Sequence, residues 1–190
     1  AVSCKNVRLY YSFKDKRADF SPETKGNASN FFPFCQYKTS IPQATWWIEK
    51  KELTMKKPDS IDIKSSFFYS TRPEDSLYFN AVSAKYDIVE HRLSITGVPY
   101  IHVADVEIKP DSGLISITEG ANVKTLEKAT VLVDRVNKFH VLKEANIKIL
   151  SREKFEGDGI YQYVNALKDT FSIKFDEFTM KDPAGDKKLL

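Results

Sequence analysis

Residues 104–149 read ADVEIKPDSGLISITEGANVKTLEKATVLVDRVNKFHVLKEANIKI and contain one short pattern three times: Ala104-Asp-Val106-Glu-Ile108, Ala129-Thr-Val131-Leu-Val133 and Ala145-Asn-Ile147-Lys-Ile149. Each copy has a small residue followed by a β-branched residue at every second position. Because side chains alternate between the two faces of a strand, the apolar side chains of one copy lie on one face. Recurrence of one strand type favours stacked, equivalent strands, and it predicts a β-solenoid.

The last two copies share a longer pattern, because Leu126-Glu-Lys-Ala129 matches Leu142-Lys-Glu-Ala145. A Leu followed by a small residue at the same phase suits a corner where a solenoid coil bends. The first copy is further from the second than the second is from the third. The longer interval contains another alternating strand, at Ile115 and Ile117. This unequal spacing predicts an irregular solenoid rather than an even repeat array.

The rest of the chain is also rich in strand-forming residues, which occur in short alternating runs interrupted by Pro, Gly, Asp and Asn. We therefore predict an all-β fold, with an irregular parallel β-helix over residues 58–178. Residues 1–57 are expected to form a β-rich N-terminal cap, and residues 179–190 a linker or frayed tail. An antiparallel β-sandwich is the alternative, because the turn sequence from Pro110 to Gly113 would suit a hairpin.

The composition and the motifs favour a non-catalytic protein. The net charge of +3 over 190 residues is too small to suggest nucleic-acid binding. No apolar run approaches the roughly 18 residues that a membrane-spanning helix needs. The three histidines, His91, His102 and His140, have no metal-ligand spacing, and no nucleophile motif is present. We predict no catalytic, metal or cofactor residue, although whether the chain is an enzyme stays open.

Cys4 and Cys35 are the only cysteines of the chain. They could form one disulfide that ties the N-terminal segment to the fold, or they could be two buried thiols, since an even count is weak evidence. Two cysteines without neighbouring His or Cys do not make a metal site.

Two stretches resemble segments of large uncharacterised exported proteins of Bacteroidetes. They are residues 97–105, GVPYIHVAD, and residues 151–164, SREKFEGDGIYQYV, and the resemblance covers residues 45–178. It implies export to the periplasm or cell surface and a β-rich architecture within a longer polypeptide. It supplies no catalytic residues.

Three sites of the form Asp-Ser/Thr-apolar resemble the O-glycosylation motif of such exported proteins. The hydroxyl residues are Ser60, Ser76 and Thr170, and each could instead begin a strand after a turn. A formal N-glycosylation sequon also occurs at Asn27-Ala28-Ser29.

These observations give three hypotheses for the function. The first is a non-catalytic structural or adhesion segment of a large cell-surface protein, whose partners are other proteins or the rest of its own polypeptide. The second is a carbohydrate-active β-helix enzyme or a carbohydrate-binding module, which an exposed Trp46 or Trp47 beside carboxylates would favour. The third is a subunit of an envelope secretion or motility assembly, which predicts a large apolar patch on the isolated chain.

Overall fold

The computed structural model describes residues 2–23, 29–72, 76–133, 140–165 and 167–179. Within these ranges the chain forms eighteen β-strands and three single 3₁₀ turns, so the prediction of an all-β fold is confirmed. The 3₁₀ turns are Ile63–Ser65, Asp111–Gly113 and Glu119–Ala121. The strands are β1 (Ser3–Lys5), β2 (Val7–Ser12), β3 (Arg17–Pro22), β4 (Ser29–Phe32), β5 (Tyr37–Thr39), β6 (Ala44–Trp47), β7 (Glu52–Lys56), β8 (Phe67–Ser70), β9 (Tyr78–Asn80), β10 (Ser83–Asp87), β11 (Arg92–Thr96), β12 (Ile101–Val103), β13 (Val106–Lys109), β14 (Ile115–Ile117), β15 (Leu126–Val133), β16 (His140–Ser151), β17 (Lys154–Val164) and β18 (Thr170–Thr179).

The strands form three sheets. A five-stranded sheet has the order β1-β4-β5-β8-β9, a seven-stranded sheet the order β14-β11-β10-β7-β6-β3-β2, and a six-stranded sheet the order β12-β13-β15-β16-β17-β18. All strand pairings among the described residues are antiparallel. The predicted parallel β-helix is therefore wrong, and the antiparallel sandwich, which was the alternative, fits the structure.

Successive hairpins alternate between the layers of this sandwich. The hairpins β2–β3, β6–β7 and β10–β11 lie in the seven-stranded sheet, β4–β5 and β8–β9 lie in the five-stranded sheet, and β12–β13 begins the six-stranded sheet. The chain thus advances along the sandwich one hairpin at a time. Strands on both sides of residue 57 pair with each other, β7 with β10 and β5 with β8.

Four hairpins share one type of loop. The loops of β2–β3, β4–β5, β6–β7 and β10–β11 each have four residues, and the last residue of each has a φ between 48° and 53°. Loops of this length are usually built around a type I turn. The left-handed position is the one where glycine is expected, because glycine has no Cβ to clash there. The residues that hold it here are Lys16, Gln36, Lys51 and His91.

The three copies of the repeated pattern are β13, β15 and β16, which lie in the same sheet. Their β-branched residues face the core, as the alternation predicts; Val106, Val131 and Ile147 are at most 1% exposed. Ala104 differs from the other two alanines, because it lies in the tight turn between β12 and β13 with a φ of 48°. The copies pair in opposite directions, and Ala129 lies opposite Ala145.

The shared Leu-x-x-Ala lead-in marks β-bulges. Lys128 and Glu144 immediately precede the two alanines, and they have φ values of 52° and 50°. The strand register shifts at both positions. The extra residue lets the Leu and the Ala, three residues apart, face the core together, and a bulge also bends its strand. The predicted solenoid corner at this pattern is therefore wrong.

The inner faces of the three sheets share one hydrophobic core, which runs from Phe32 to Phe155 in the sequence. Its largest fully buried side chains include Tyr37, Tyr86 and Phe68. The core ends before β18, where nine of the ten residues are exposed and Phe178 alone is half-buried. The C-terminal edge of the six-stranded sheet therefore extends past the part of the molecule that the other sheets cover.

Candidate functional site

The last two strands, β17 and β18, form a long hairpin at the edge of the six-stranded sheet. In its register Tyr161 lies opposite Ile173, and Tyr163 lies opposite Phe171. Phe175 lies opposite Gly159, on the same side as these four residues. We call the side that carries Tyr161, Tyr163, Phe171, Ile173 and Phe175 the hairpin face.

The hairpin face is apolar, and no other element among the described residues covers it. Phe171 is 52% exposed, Ile173 is 44% exposed and Phe175 is 41% exposed. The residues between them in β18, which point to the opposite side, are polar. An antiparallel sheet with one buried face normally turns its apolar side to the core. β18 has this alternation, but its apolar side faces no other sheet among the described residues.

An apolar groove of about 400 Å³ leads from the hairpin face toward the core. Val131, Leu142 and Phe155 line its inner end, and Phe175 and Phe178 line its outer end. The rings of Phe155 and Phe178 meet edge to face, with centroids 5.8 Å apart. The hairpin face and the hydrophobic core are therefore parts of one continuous apolar surface.

One polar contact lies at the mouth of this groove. His140 Nδ1 and the Tyr161 hydroxyl are 2.6 Å apart, and the two rings lie 5.7 Å apart at an angle of 47°. The Tyr161 ring also contacts Phe175, with centroids 6.2 Å apart. The hydrogen bond to β16 holds Tyr161 of β17 in place and so fixes one end of the hairpin face.

Two glycines bring β17 close to β16. A Cβ at Gly157 would lie 2.3 Å from the Asn146 carbonyl oxygen, and a Cβ at Gly159 would lie 3.0 Å from the Ala145 Cβ. The register of β17 and β18 shifts between the same two glycines. Glycines inside a strand mark bulges or close backbone approach, and both occur here. The close approach sets the path of the hairpin beyond the core.

A second exposed edge lies at the other end of the chain, where β2 ends the seven-stranded sheet. Leu9 and Tyr10 are 59% and 66% exposed, and Tyr11 meets Phe13 edge to face at 4.6 Å. Leu9 and Tyr10 point to opposite sides of the strand, so the exposed apolar residues are divided between two faces. Leu9 also lines an apolar cleft of about 480 Å³ together with Phe20 and Trp46, so this edge carries an apolar surface of its own, whereas Tyr10 lies on the opposite face.

The two tryptophans do not form a sugar-binding site of the expected kind. Trp46 is 37% exposed, but it lines an apolar cleft that also contains Leu53 and Cys4 and has no carboxylate among its lining residues. Trp47 is half-buried, and its Nε1 donates to Thr54 Oγ1 at 3.1 Å. The side chains of Lys50 and Arg17 lie over its ring, at 5.1 Å and 5.8 Å from the centroid. These cations occupy the surface on which a sugar would stack.

The cysteines are free thiols in the structure, so the disulfide is not formed there. Cys35 is buried, and its Sγ donates to the His91 carbonyl oxygen at 3.2 Å. Burial raises the pKa of Cys35 to about 11 and also raises the pKa of Cys4. Because the thiolate is the nucleophilic form, neither thiol is activated for catalysis at neutral pH.

The three candidate glycosylation residues, Ser60, Ser76 and Thr170, are all exposed. Ser76 Oγ accepts a hydrogen bond from Arg152 Nη1 at 3.4 Å. Exposure is compatible with modification, which stays a prediction. Asn27 and Ala28 of the sequon, and residues 180–190 of the expected tail, lie outside the described residues.

Among the described residues, no three His, Cys, Asp or Glu side chains lie close enough together to hold a metal ion. In the same ranges, no helix has the length and apolar character needed to cross a membrane.

A comparison with protein-family models finds no match, and neither do comparisons with curated proteins and with solved structures. The hairpin face is therefore the observation on which a functional proposal can rest.

Proposed function

We propose that this protein is a non-catalytic structural component of a larger protein assembly, and that it binds a protein partner through the hairpin face. The observation that carries the proposal is the row of half-exposed side chains at Tyr163, Phe171, Ile173 and Phe175 on one side of an edge hairpin. Of the three hypotheses from the sequence, only the assembly subunit requires such a patch on the isolated chain. Contiguous exposed apolar surface marks interaction sites in folded proteins.

The shape of the surface favours a protein partner over a small molecule. β18 is an edge strand, so one row of its backbone N–H and C=O groups lacks a neighbouring strand within the described part of the sheet. An added protein strand can pair with those groups and cover apolar side chains at the same time. A sugar or a small apolar ligand could fill the groove but would leave the edge unpaired.

The placement of this assembly at the cell envelope is part of the proposal. Its support is the resemblance of residues 97–105 and 151–164 to segments of exported proteins of Bacteroidetes. A structural or adhesion segment of a longer cell-surface polypeptide would use the hairpin face in the same way, because the next part of that polypeptide would supply the partner.

Site-specific photo-cross-linking tests the binding surface. A photoreactive phenylalanine analogue replaces Phe171 in the chain produced in its native cells, and a matched variant carries the analogue at Val89. Val89 is 63% exposed and lies in the loop between β10 and β11, away from the hairpin. We expect a discrete cross-linked protein species from position 171 and none from position 89. Equal labelling at the two positions, or none at either, would overturn the proposal.

A further inference from the structure

We propose that the partner of the hairpin face is a second copy of this chain, whose β18 pairs antiparallel with β18 of the first copy about a twofold axis at Ile173. This inference rests on the proposed function, since it names the protein that pairs with the edge strand of the hairpin face. It joins the two six-stranded sheets edge to edge and places both hairpin faces on one side of the joined sheet.

The apolar residues of β18 are placed symmetrically about Ile173. Phe171 and Phe175 lie two positions before and after it, and the small polar Ser172 and the charged Lys174 lie one position before and after it. A twofold interface is self-complementary, because residue i contacts residue j and residue j contacts residue i. In this register Ile173 meets Ile173 of the second copy, and each Phe171 meets a Phe175. Aromatic cross-strand pairs are among the more stabilising pairs in sheets.

The charges favour the same register. Between Thr170 and Asp176 it opposes no two like charges, because Lys174 lies opposite Ser172 and Asp176 lies opposite Thr170 of the second copy. A shift of the axis to Lys174 would set Lys174 directly against itself, which is destabilising in a sheet. A shift of the axis to Phe175 would bring Glu177 opposite Ile173.

The geometry of the edge sets the length of the pairing. β18 has ten residues and lies at the end of the sheet order, so its outer side has no strand beside it among the described residues. Its pairing with β17 is regular from Thr170 to Phe175, and an extra residue between Phe175 and Phe178 makes a bulge. Bulges disrupt the ladder locally. Regular pairing with the second copy therefore covers residues 170–176 and ends at the bulge.

Sedimentation of the purified chain, from micromolar concentration to about 1 mM, measures the self-association. We expect a concentration-dependent dimer. Ile173→Lys places two cations on the axis, and we expect it to weaken the dimer at least about tenfold. Val89→Lys makes a similar change at the exposed loop and should leave the dimer unchanged. Ser172→Glu sets a carboxylate opposite Lys174 twice per dimer, so it should tighten the dimer roughly two- to thirtyfold.

Disulfide trapping tests directly which residues of the two β18 strands lie opposite each other. Ile173→Cys places two thiols opposite each other on the axis, whereas Tyr163→Cys places a thiol on the same face but on β17. Both variants carry Cys4→Ser, because Cys4 is a free thiol that is only partly buried. Under mild oxidation we expect a covalent dimer from the first variant and none from the second or from Cys4→Ser alone, whose remaining Cys35 is buried.

The outcomes separate this inference from the proposed function. A chain that stays monomeric to about 1 mM, or a dimer that Ile173→Lys does not weaken, overturns the β18 pairing. If the photo-cross-link at position 171 then captures a different protein, the binding face stands and the second copy is the wrong partner. If position 171 also captures nothing, both proposals fail.

Discussion

Tyr163 and Phe171 lie directly opposite each other in the β17–β18 hairpin, and both remain about half exposed, at 47% and 52%. A cross-strand pair of aromatic rings stabilises a hairpin, but it does not remove the outer surfaces of the rings from water. A few strands earlier in the same sheet, Val131 and Ile147 use the same alternation and are fully buried. The sheet thus carries one apolar face whose inner half is covered by the fold and whose outer half is open.

Substitutions on the hairpin face should cost little folding stability in the isolated chain. Phe171→Ser removes a half-exposed ring with few buried contacts, and we expect the free energy of unfolding to fall by less than about 1 kcal/mol. Phe155→Ala removes a ring that is 3% exposed, and large core aromatics typically cost about 3–5 kcal/mol. Urea denaturation of the isolated chain measures both. A loss of several kcal/mol at Phe171 would mean that the ring belongs to the core.

The close approach of β17 to β16 predicts a specific cost at Gly157. Gly157→Ala would force a Cβ to within 2.3 Å of the Asn146 carbonyl, a backbone atom that cannot move without shifting β16. We expect a loss of about 1–3 kcal/mol, as for overpacked sites. Gly120→Ala is the control, because the nearest atom there is a side-chain nitrogen at 3.7 Å and the cost comes from its φ of 70°. Thermal unfolding curves should show Gly157→Ala as the more damaging change.

The bulge at Glu144 predicts different costs for glycine at two neighbouring residues. Glu144 has a φ of 50°, where a residue with a Cβ is strained by about 1–2 kcal/mol. Glu144→Gly relieves that strain, and the gain offsets the greater entropy of glycine in the unfolded chain. Lys143→Gly, in the extended part of β16, has no strain to relieve and should lose about 0.5–1 kcal/mol. If both variants lose the same stability in urea, the left-handed residue at the bulge is not strained.

Alkaline pH should destabilise the fold through two buried groups. Burial raises the pKa of Cys35 from 9.0 to about 11 and that of Tyr86 from 10.0 to about 12. Because the folded state holds these protons more tightly than the unfolded state, its stability is intact below pH 9 and falls between pH 9 and pH 12. Each group contributes a slope of up to about 1.4 kcal/mol per pH unit.

Two variants separate these contributions. Cys35→Ala should flatten the lower part of the alkaline decline, and Tyr86→Phe should flatten the upper part. Chemical denaturation at a series of pH values measures the slopes independently of the stability at neutral pH. Unchanged slopes in both variants would show that other groups cause the decline.

The sequence predicts which side chains share a face but not which strands are neighbours. The alternation in Val106, Val131 and Ile147 correctly identified the buried face of three strands. The direction of a strand depends on its connections. In the hairpins β6–β7 and β10–β11 the left-handed loop positions, where glycine would have been recognisable, hold Lys51 and His91 instead. The recurrence of one strand pattern alone predicts a parallel arrangement, and that prediction is wrong.

The candidate site was only partly visible in the sequence for a related reason. The alternation of Phe171, Ile173 and Phe175 predicts a strand with one apolar side, and Gly157 with Gly159 predicts a close approach to a neighbouring strand. Both features are present. An alternating strand normally turns its apolar side to a core. The residues of β18 therefore predict that a second sheet covers its apolar side, which is not so among the described residues. Whether the apolar side of β18 is covered depends on where the other sheets end, which is a property of the whole fold.

Hydrogen–deuterium exchange of residues 170–176 tests the central claim, that a protein covers this edge, most directly. The rates are measured in the dilute isolated chain and in the assembled form recovered from its native cells, with the buried strand β7 as the internal reference. We predict that the amides of β18 exchange at least about tenfold more slowly in the assembled form, because a new strand pairs with them, while those of β7 are unchanged. Equal exchange of residues 170–176 in the two forms would contradict the account.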